Sequence, residues 1–369
     1  MFNAIVIQKI DTFQQVDILF LRVLNFNDAF RDQEDTMKYR TFGKTGVKIS
    51  EVGLGTWQFG GVDWGDIQEK DALDILHKSV ESGVNFIDTA DVYGMGRSEK
   101  IIGKFLKETK ENIYVATKLG RRERTSDDTW PAKYTVDMVK RDIEDSLRNL
   151  GVDSLFLEQW HCIPTEMLKS GEAFELLETF KKKGLIQHWG CSVESIEEGL
   201  ICMEHPGCES IQVIYNIFRQ KVTTDLLPVA KKKNVGVLAR VPLASGLLSG
   251  KFKKGYKFPE KDHRNYNADG AAFNVGETFA GIPFDRGVEI VEKIKEILKP
   301  SEEITMAQLA LRWILDHDEV SSVIPGATKI EQAISNAKAS SIPSLSKQVH
   351  IQIEQLYKTE IEPYIRGKY

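Results

Sequence analysis

Four polar residues close or follow short apolar runs: Asp88, Tyr93, Lys118 and His161. A carboxylate, a phenol, an ammonium and an imidazole together suit proton transfer and not the packing of a core. A free phenol, with a pKa of about 10, is a reluctant acid. A neighbouring ammonium favours the phenolate and would lower that value toward working pH. Singly, Asp88 reads equally as a helix N-cap, Lys118 as a solvated strand-end charge and His161 as a satisfied core histidine. Three successive strand ends carrying such groups favour chemistry.

The elements that must position them follow from periodicity. The runs 84–88, 113–118 and 155–161 are short and rich in β-branched and aromatic residues, as buried strands of a parallel sheet should be. Before them, 39–42 and 47–50 read as a β-hairpin across the turn 43–46, and 51–56 as a first strand. Further strands are predicted over 186–192, 210–215, 236–240 and 321–324. Helical periodicity covers 70–82, 98–106, 135–150, 172–183, a segment from Ser195, 224–233, 287–298, 305–316, 330–339 and 346–357. Eight strand–helix alternations predict a (β/α)8 TIM barrel with the N-terminal hairpin at its bottom and extra C-terminal helices. The C-terminal strand ends of such a barrel converge on one mouth, so the four residues would meet there. No Gly-x-Gly-x-x-Gly follows an early strand, which disfavours a Rossmann domain. The segment from Arg240 to about Arg286 exceeds ordinary loop lengths and reads as a functional flap.

The 369 residues suffice for one large α/β domain, assigned to 37–369. Residues 1–36 read as an N-terminal extension, either a leader or a mis-assigned start, because Met37 opens the first patterned segment. Their apolar runs are too short to cross a bilayer. A net charge of −5 without long basic blocks argues against nucleic acid or a membrane surface as partner. The Lys triplets 181–183 and 231–233 fall at predicted helix ends, where cations face terminal carbonyls. Cys162, Cys191, Cys202 and Cys208 match no zinc spacing, no metal is expected, and a reducing cytoplasmic location is the simplest account.

The chain resembles the aldo-keto reductase superfamily over roughly 37–345. The motifs are Gly53-Leu54-Gly55-Thr56-Trp57, Phe86-Ile87-Asp88-Thr89-Ala90-Asp91-Val92-Tyr93-Gly94, Ala116-Thr117-Lys118, Gln159-Trp160-His161, Gly190-Cys191-Ser192, Gln212-Val213-Ile214-Tyr215-Asn216, the segment Pro242 to Lys251, and Ile324-Pro325-Gly326-Ala327. In style it is similar to bacterial reductases of broad specificity and to the potassium-channel β-subunit branch. The resemblance implies an NADPH-dependent reduction of an aldehyde or ketone to an alcohol, with NADH as a possible second cofactor. It implies Tyr93 as proton donor, tuned by Lys118 and Asp88, and His161 orienting the carbonyl.

For the cofactor, the resemblance assigns the nicotinamide carboxamide to Ser192 and Gln212, and the first strand end to Gly55, Thr56 and Trp57. Val193 stands where the family often has Asn. Arg240 stands where a Tyr commonly stacks on the nicotinamide ring, and a fixed positive charge there should disfavour the oxidised, cationic ring. Pro242, Leu243, Ser245, Gly246, Leu248 and Lys251 match the loop that closes on the pyrophosphate. Gly326, Ala327, Thr328, Lys329, Gln332 and Asn336 match the adenosine end, where Lys329 would pair with a 2′-phosphate although Gln332 replaces a common Arg. Trp57, Trp64, Trp130 and Trp160 suggest an apolar or planar substrate. Two other readings are a slowly turning, cofactor-binding regulatory subunit and a Schiff-base aldolase using Lys118.

Overall fold

The computed structural model describes residues 36–61, 64, 65, 67–122 and 134–369. Apart from Thr36, the expected extension over 1–36 lies outside the described residues, as does Trp130. Strands β1 (Tyr39–Thr41) and β2 (Lys48–Ser50) form the antiparallel hairpin, in the register Tyr39↔Ser50 to Thr41↔Lys48. Gly43, at φ 48°, lies so near the chain that an added Cβ would stand 2.3 Å from Gly236 N. Only glycine seats the hairpin this closely. Phe42 then plugs the barrel bottom, 5.8 Å from the Phe86 ring centroid and among Ala116, Leu157 and Leu238.

Eight parallel strands follow: β3 (Leu54–Gly55), β4 (Phe86–Asp88), β5 (Tyr114–Leu119), β6 (Leu155–His161), β7 (Ile186–Ser192), β8 (Ser210–Ile214), β9 (Gly236–Arg240) and β10 (Val320–Val323). Each bonds to the next in chain order. Bridges Val52↔Val323 and Gly55↔Gly326 close the ring, with Gly53 N donating to Val323 O at 2.8 Å. The (β/α)8 barrel with its bottom hairpin is therefore complete, and closure leaves its sheet without an exposed edge. The helix Lys347–Leu356 is an addition at the C-terminal side.

Local chemistry fixes the helix ends. Thr135 accepts from Met138 N to start Val136–Leu150, and Gly151 stops it at φ 69°. Ser195 with Glu198 and Thr305 with Gln308 form reciprocal capping boxes. Both Lys triplets lie at helix C-termini as expected. The predicted helix 224–233 is instead two pieces, Lys221–Asp225 and Leu227–Lys233. Pro228 has no N–H to give to a preceding turn and fits the first turn of a new helix. A short helix, Thr165–Ser170, follows β6 where none was expected. The long segment after β9 carries its own turns, His263–Tyr266, Val275–Glu277 and Phe279–Gly281.

Candidate active site

Strands β4, β5 and β6 bring the four residues together at the barrel mouth. Lys118 Nζ donates to Asp88 Oδ1 at 2.6 Å and to Thr89 O at 2.6 Å, and lies 3.5 Å from the Tyr93 hydroxyl. Gln212 Nε2 donates to the other Asp88 oxygen at 2.8 Å, so both carboxylate oxygens are held. The Tyr93 and His161 ring centroids are 6.0 Å apart, edge to face. Lys118 is fully buried and Asp88 nearly so, and among the described residues His161 Nδ1 has no hydrogen-bond partner.

Burial opposes the Lys118 charge, but Asp88 and Tyr93 outweigh it and hold the ammonium above its ordinary pKa. An amine held in its protonated form is a poor nucleophile, which counts against the aldolase reading. Burial pushes the Tyr93 phenol above its ordinary value of 10; Lys118 pulls it down, while Asp88 and Glu277 add to the rise. This departs from the expectation that Lys118 brings the phenol toward neutral pH: burial outweighs the ammonium's pull, and Asp88 opposes it further. Burial, then Arg121, Lys118 and Arg240, hold His161 well below its ordinary 6.5, so the imidazole is neutral.

These groups open on a cavity of about 950 Å³ that extends to the first turn of the helix Ile330–Ala337. Its walls include Gly55, Thr56, Trp57, Trp64, Gln212, Arg240, Pro242, Leu243, Ser245, Gly246 and Lys251. At the far end they include Gly326, Ala327, Thr328, Gln332 and Asn336. Four sequence-derived candidates are placed otherwise. Trp160 is fully buried on the helix-facing side of β6, its Nε1 donating to Ala173 O at 2.9 Å. Strand alternation sends it outward because His161 points inward, so it touches no substrate. Leu248 is core. Ser192 lies behind Gln212, its Oγ 3.5 Å from Gln212 Oε1. Lys329 is exposed at the N-cap of its helix, outside the wall, whereas Glu331 lines it. Trp130 falls outside the described residues.

The loop after β9 holds Val241, Ala244 and Ser245 at φ of 52°, 48° and 55°, a backbone few non-glycine residues adopt. Such left-handed turns are the geometry of anion-binding amide nests. With Lys251 in the wall, and with His161 Nδ1 and Arg240 Nε of the lining residues lacking a partner among the described residues, the cavity fits a long anionic cofactor.

Sequence reasoning missed several wall residues. Arg121 and Glu194, just past β5 and β7, pair at 2.7 Å. Glu277 pairs with Arg240, whose Nη2 also donates to Val193 O at 2.9 Å. Arg240 is therefore not the bare cation expected. Phe273 and Asn274 belong to the same flap. Trp57 packs against Trp64, Tyr93, His263 and Phe273, giving that side an aromatic face. Arg121 and Glu194 were legible from the rule that strand ends face the mouth; the flap residues carried no such signal.

A closed barrel whose mouth holds a carboxylate–ammonium–phenol chain beside a neutral imidazole, at the head of a long cavity, is built as a proton-transferring enzyme. The chain belongs to the Aldo/keto reductase family, whose sequence pattern it matches over residues 51–358. It is accordingly an NAD(P)H-dependent oxidoreductase. It is 29% identical over 348 residues to a probable voltage-gated potassium channel subunit beta of Arabidopsis thaliana, covering 88% of this chain and 98% of that one. It is 28% identical over 325 residues to the NADH-specific methylglyoxal reductase of Escherichia coli (strain K12), covering 83% and 94%. Among solved structures it is similar to a glycerol dehydrogenase from Gluconobacter oxydans, with a TM-score of 0.72, 29% identity, and coverage of 91% and 98%. Among the described residues no helix is long and apolar enough to cross a membrane.

Proposed function

We propose that the chain reduces a small aldehyde or ketone to its alcohol, using NADPH and also accepting NADH. The observation that carries this reading is the hydrogen-bonded series Asp88–Lys118–Tyr93, with Tyr93 and His161 at the head of the cavity. The bound cofactor supplies the hydride. Neutral His161 orients the carbonyl oxygen, and Tyr93, protonated at physiological pH, delivers a proton to it. Lys118, kept charged by Asp88, stabilises the phenolate left behind. Gln212, backed by Ser192, would hold the carboxamide end of the cofactor, the loop 242–251 its pyrophosphate, and Gly326, Thr328, Gln332 and Asn336 its adenosine, with exposed Lys329 beside the 2′-position.

Trp57 and Trp64 form the substrate wall, with Phe273 beside Trp57, which favours a substrate with an apolar face. We assign the reductase to residues 37–369 and treat 1–36 as an extension. Four free cysteines, three of them buried, suit a cytoplasmic setting. A panel of carbonyls and alcohols, followed by nicotinamide absorbance with both cofactors, tests the reading. Turnover of at least one carbonyl class supports it. Tight cofactor binding with no turnover across the panel would favour a regulatory role instead.

A further inference from the structure

The two ion pairs in the wall are built from different parts of the chain. Arg121 and Glu194 stand on the strand-end loops, and Asn274 of the flap donates to Glu194 at 3.2 Å. Arg240 ends β9, but its carboxylate partner, Glu277, comes from the flap 37 residues later. Both members are more than nine-tenths buried. Arg240 is fixed on a second side by Val193 O at 2.9 Å, and its Nε has no partner among the described residues. Glu277 also steadies the cofactor loop, since its carbonyl accepts from Ser245 Oγ at 3.0 Å and Phe279 N donates to that hydroxyl at 3.1 Å.

The place of this pair matters for hydride transfer. Tyr93 and His161 fix where the carbonyl must lie, and the hydride donor must approach it to within about 3–3.5 Å. The nicotinamide ring would then lie toward Arg240, which shares the cavity wall and whose Nη2 stands 3.7 Å from the sulfur of Cys162, the residue after His161. The oxidised ring carries a positive charge and the reduced ring none. A bare guanidinium would therefore discriminate against the oxidised cofactor and trap the reduced one.

Resting on the reductase reading above, we propose that Glu277 is a positioning residue that neutralises Arg240 and so sets the ratio of affinities for oxidised and reduced cofactor. Removing its charge while keeping its shape exposes the guanidinium to the ring. At about 5–8 Å and an effective dielectric of about 20–40, the oxidised form loses roughly ten- to a hundredfold relative to the reduced form.

The test is fluorescence or calorimetric titration of the full-length protein with NADP⁺ and NADPH. Four proteins are compared: wild type, Glu277→Gln, Arg240→Gln and the double variant. Glu277→Gln should raise the ratio of the oxidised to the reduced Kd about tenfold or more. Arg240→Gln should lower it, and the double variant, again neutral, should return to within about threefold of wild type. A merely structural role for Glu277 would weaken both forms alike and leave the ratio fixed, which overturns the proposal. Wild type binding neither form would overturn the reductase reading itself, an outcome distinct from an unmoved ratio.

Discussion

Lys118→Met removes the ammonium and keeps an unbranched apolar chain in its place. At 3.5 Å from the phenol oxygen, and at an effective dielectric of about 20, a lone ammonium would stabilise a full phenolate by roughly 4–5 kcal/mol. Asp88, bonded to the same nitrogen at 2.6 Å, opposes the phenolate with or without Lys118, so the variant forfeits this whole contribution while Asp88 stays charged. A loss of about 4–5 kcal/mol corresponds to a proton-transfer step roughly a thousandfold slower or more. The variant also strands a buried carboxylate whose remaining side-chain donor among the described residues is Gln212, so stability should fall by about 3–5 kcal/mol unless Asp88 takes up a proton. Asp88→Asn in the same chain removes that charge and should recover stability and part of the rate, leaving it still below wild type. The assay is single-turnover reduction and alcohol oxidation across pH, with thermal unfolding alongside. Loss of the cation raises the phenol pKa further, so the alkaline rise of the oxidation rate should move to higher pH. An unchanged rate together with an unchanged profile would refute the role given to Lys118.

Two further expectations concern titration and the adenosine end. His161 is held well below 6.5 and Tyr93 above 10, so both keep one protonation state between them, and kcat/KM for reduction should be flat from about pH 6.5 to 9. Because a depressed imidazole pKa favours the folded state only while the ring is neutral, this contribution is lost as pH falls below 6.5, which acid unfolding will register. Lys329→Ala should weaken NADPH by only about two- to sixfold, since an exposed and screened lysine–phosphate contact contributes roughly 0.5–1 kcal/mol. NADH should change less than twofold, and equal losses for both cofactors would assign Lys329 to the helix and not to a phosphate.

The barrel was legible because its strands and caps are local. Thr135 and Gly151, or Ser195 with Glu198, bound their helices within a turn, and the strand-end positions of Asp88, Lys118 and His161 follow from the same periodicity. What escaped depends on contacts distant in sequence. The partner of Arg240 is in an irregular flap without a repeat to align it, so only the folded chain brings Glu277 to it. The direction of the Tyr93 shift was misjudged because burial and Asp88 outweigh a cation whose proximity alone is suggested by sequence. Trp160 was misassigned although the alternation along β6 already placed it opposite His161. Lys329 shows the limit of motif position: the adjacent helix face, not the motif, decides that Glu331 lines the cavity.

The central claim is that Tyr93 supplies the proton, and Tyr93→Phe tests it most directly. The substitution deletes one hydroxyl that approaches Lys118 at 3.5 Å, so folding and cofactor affinity should be nearly unchanged. Single-turnover hydride transfer, read with deuterated cofactor so that an isotope effect identifies the chemical step, should slow by about 10²–10⁴-fold. Hydride transfer within about threefold of wild type, with the isotope effect showing chemistry to be rate-limiting, would contradict the account.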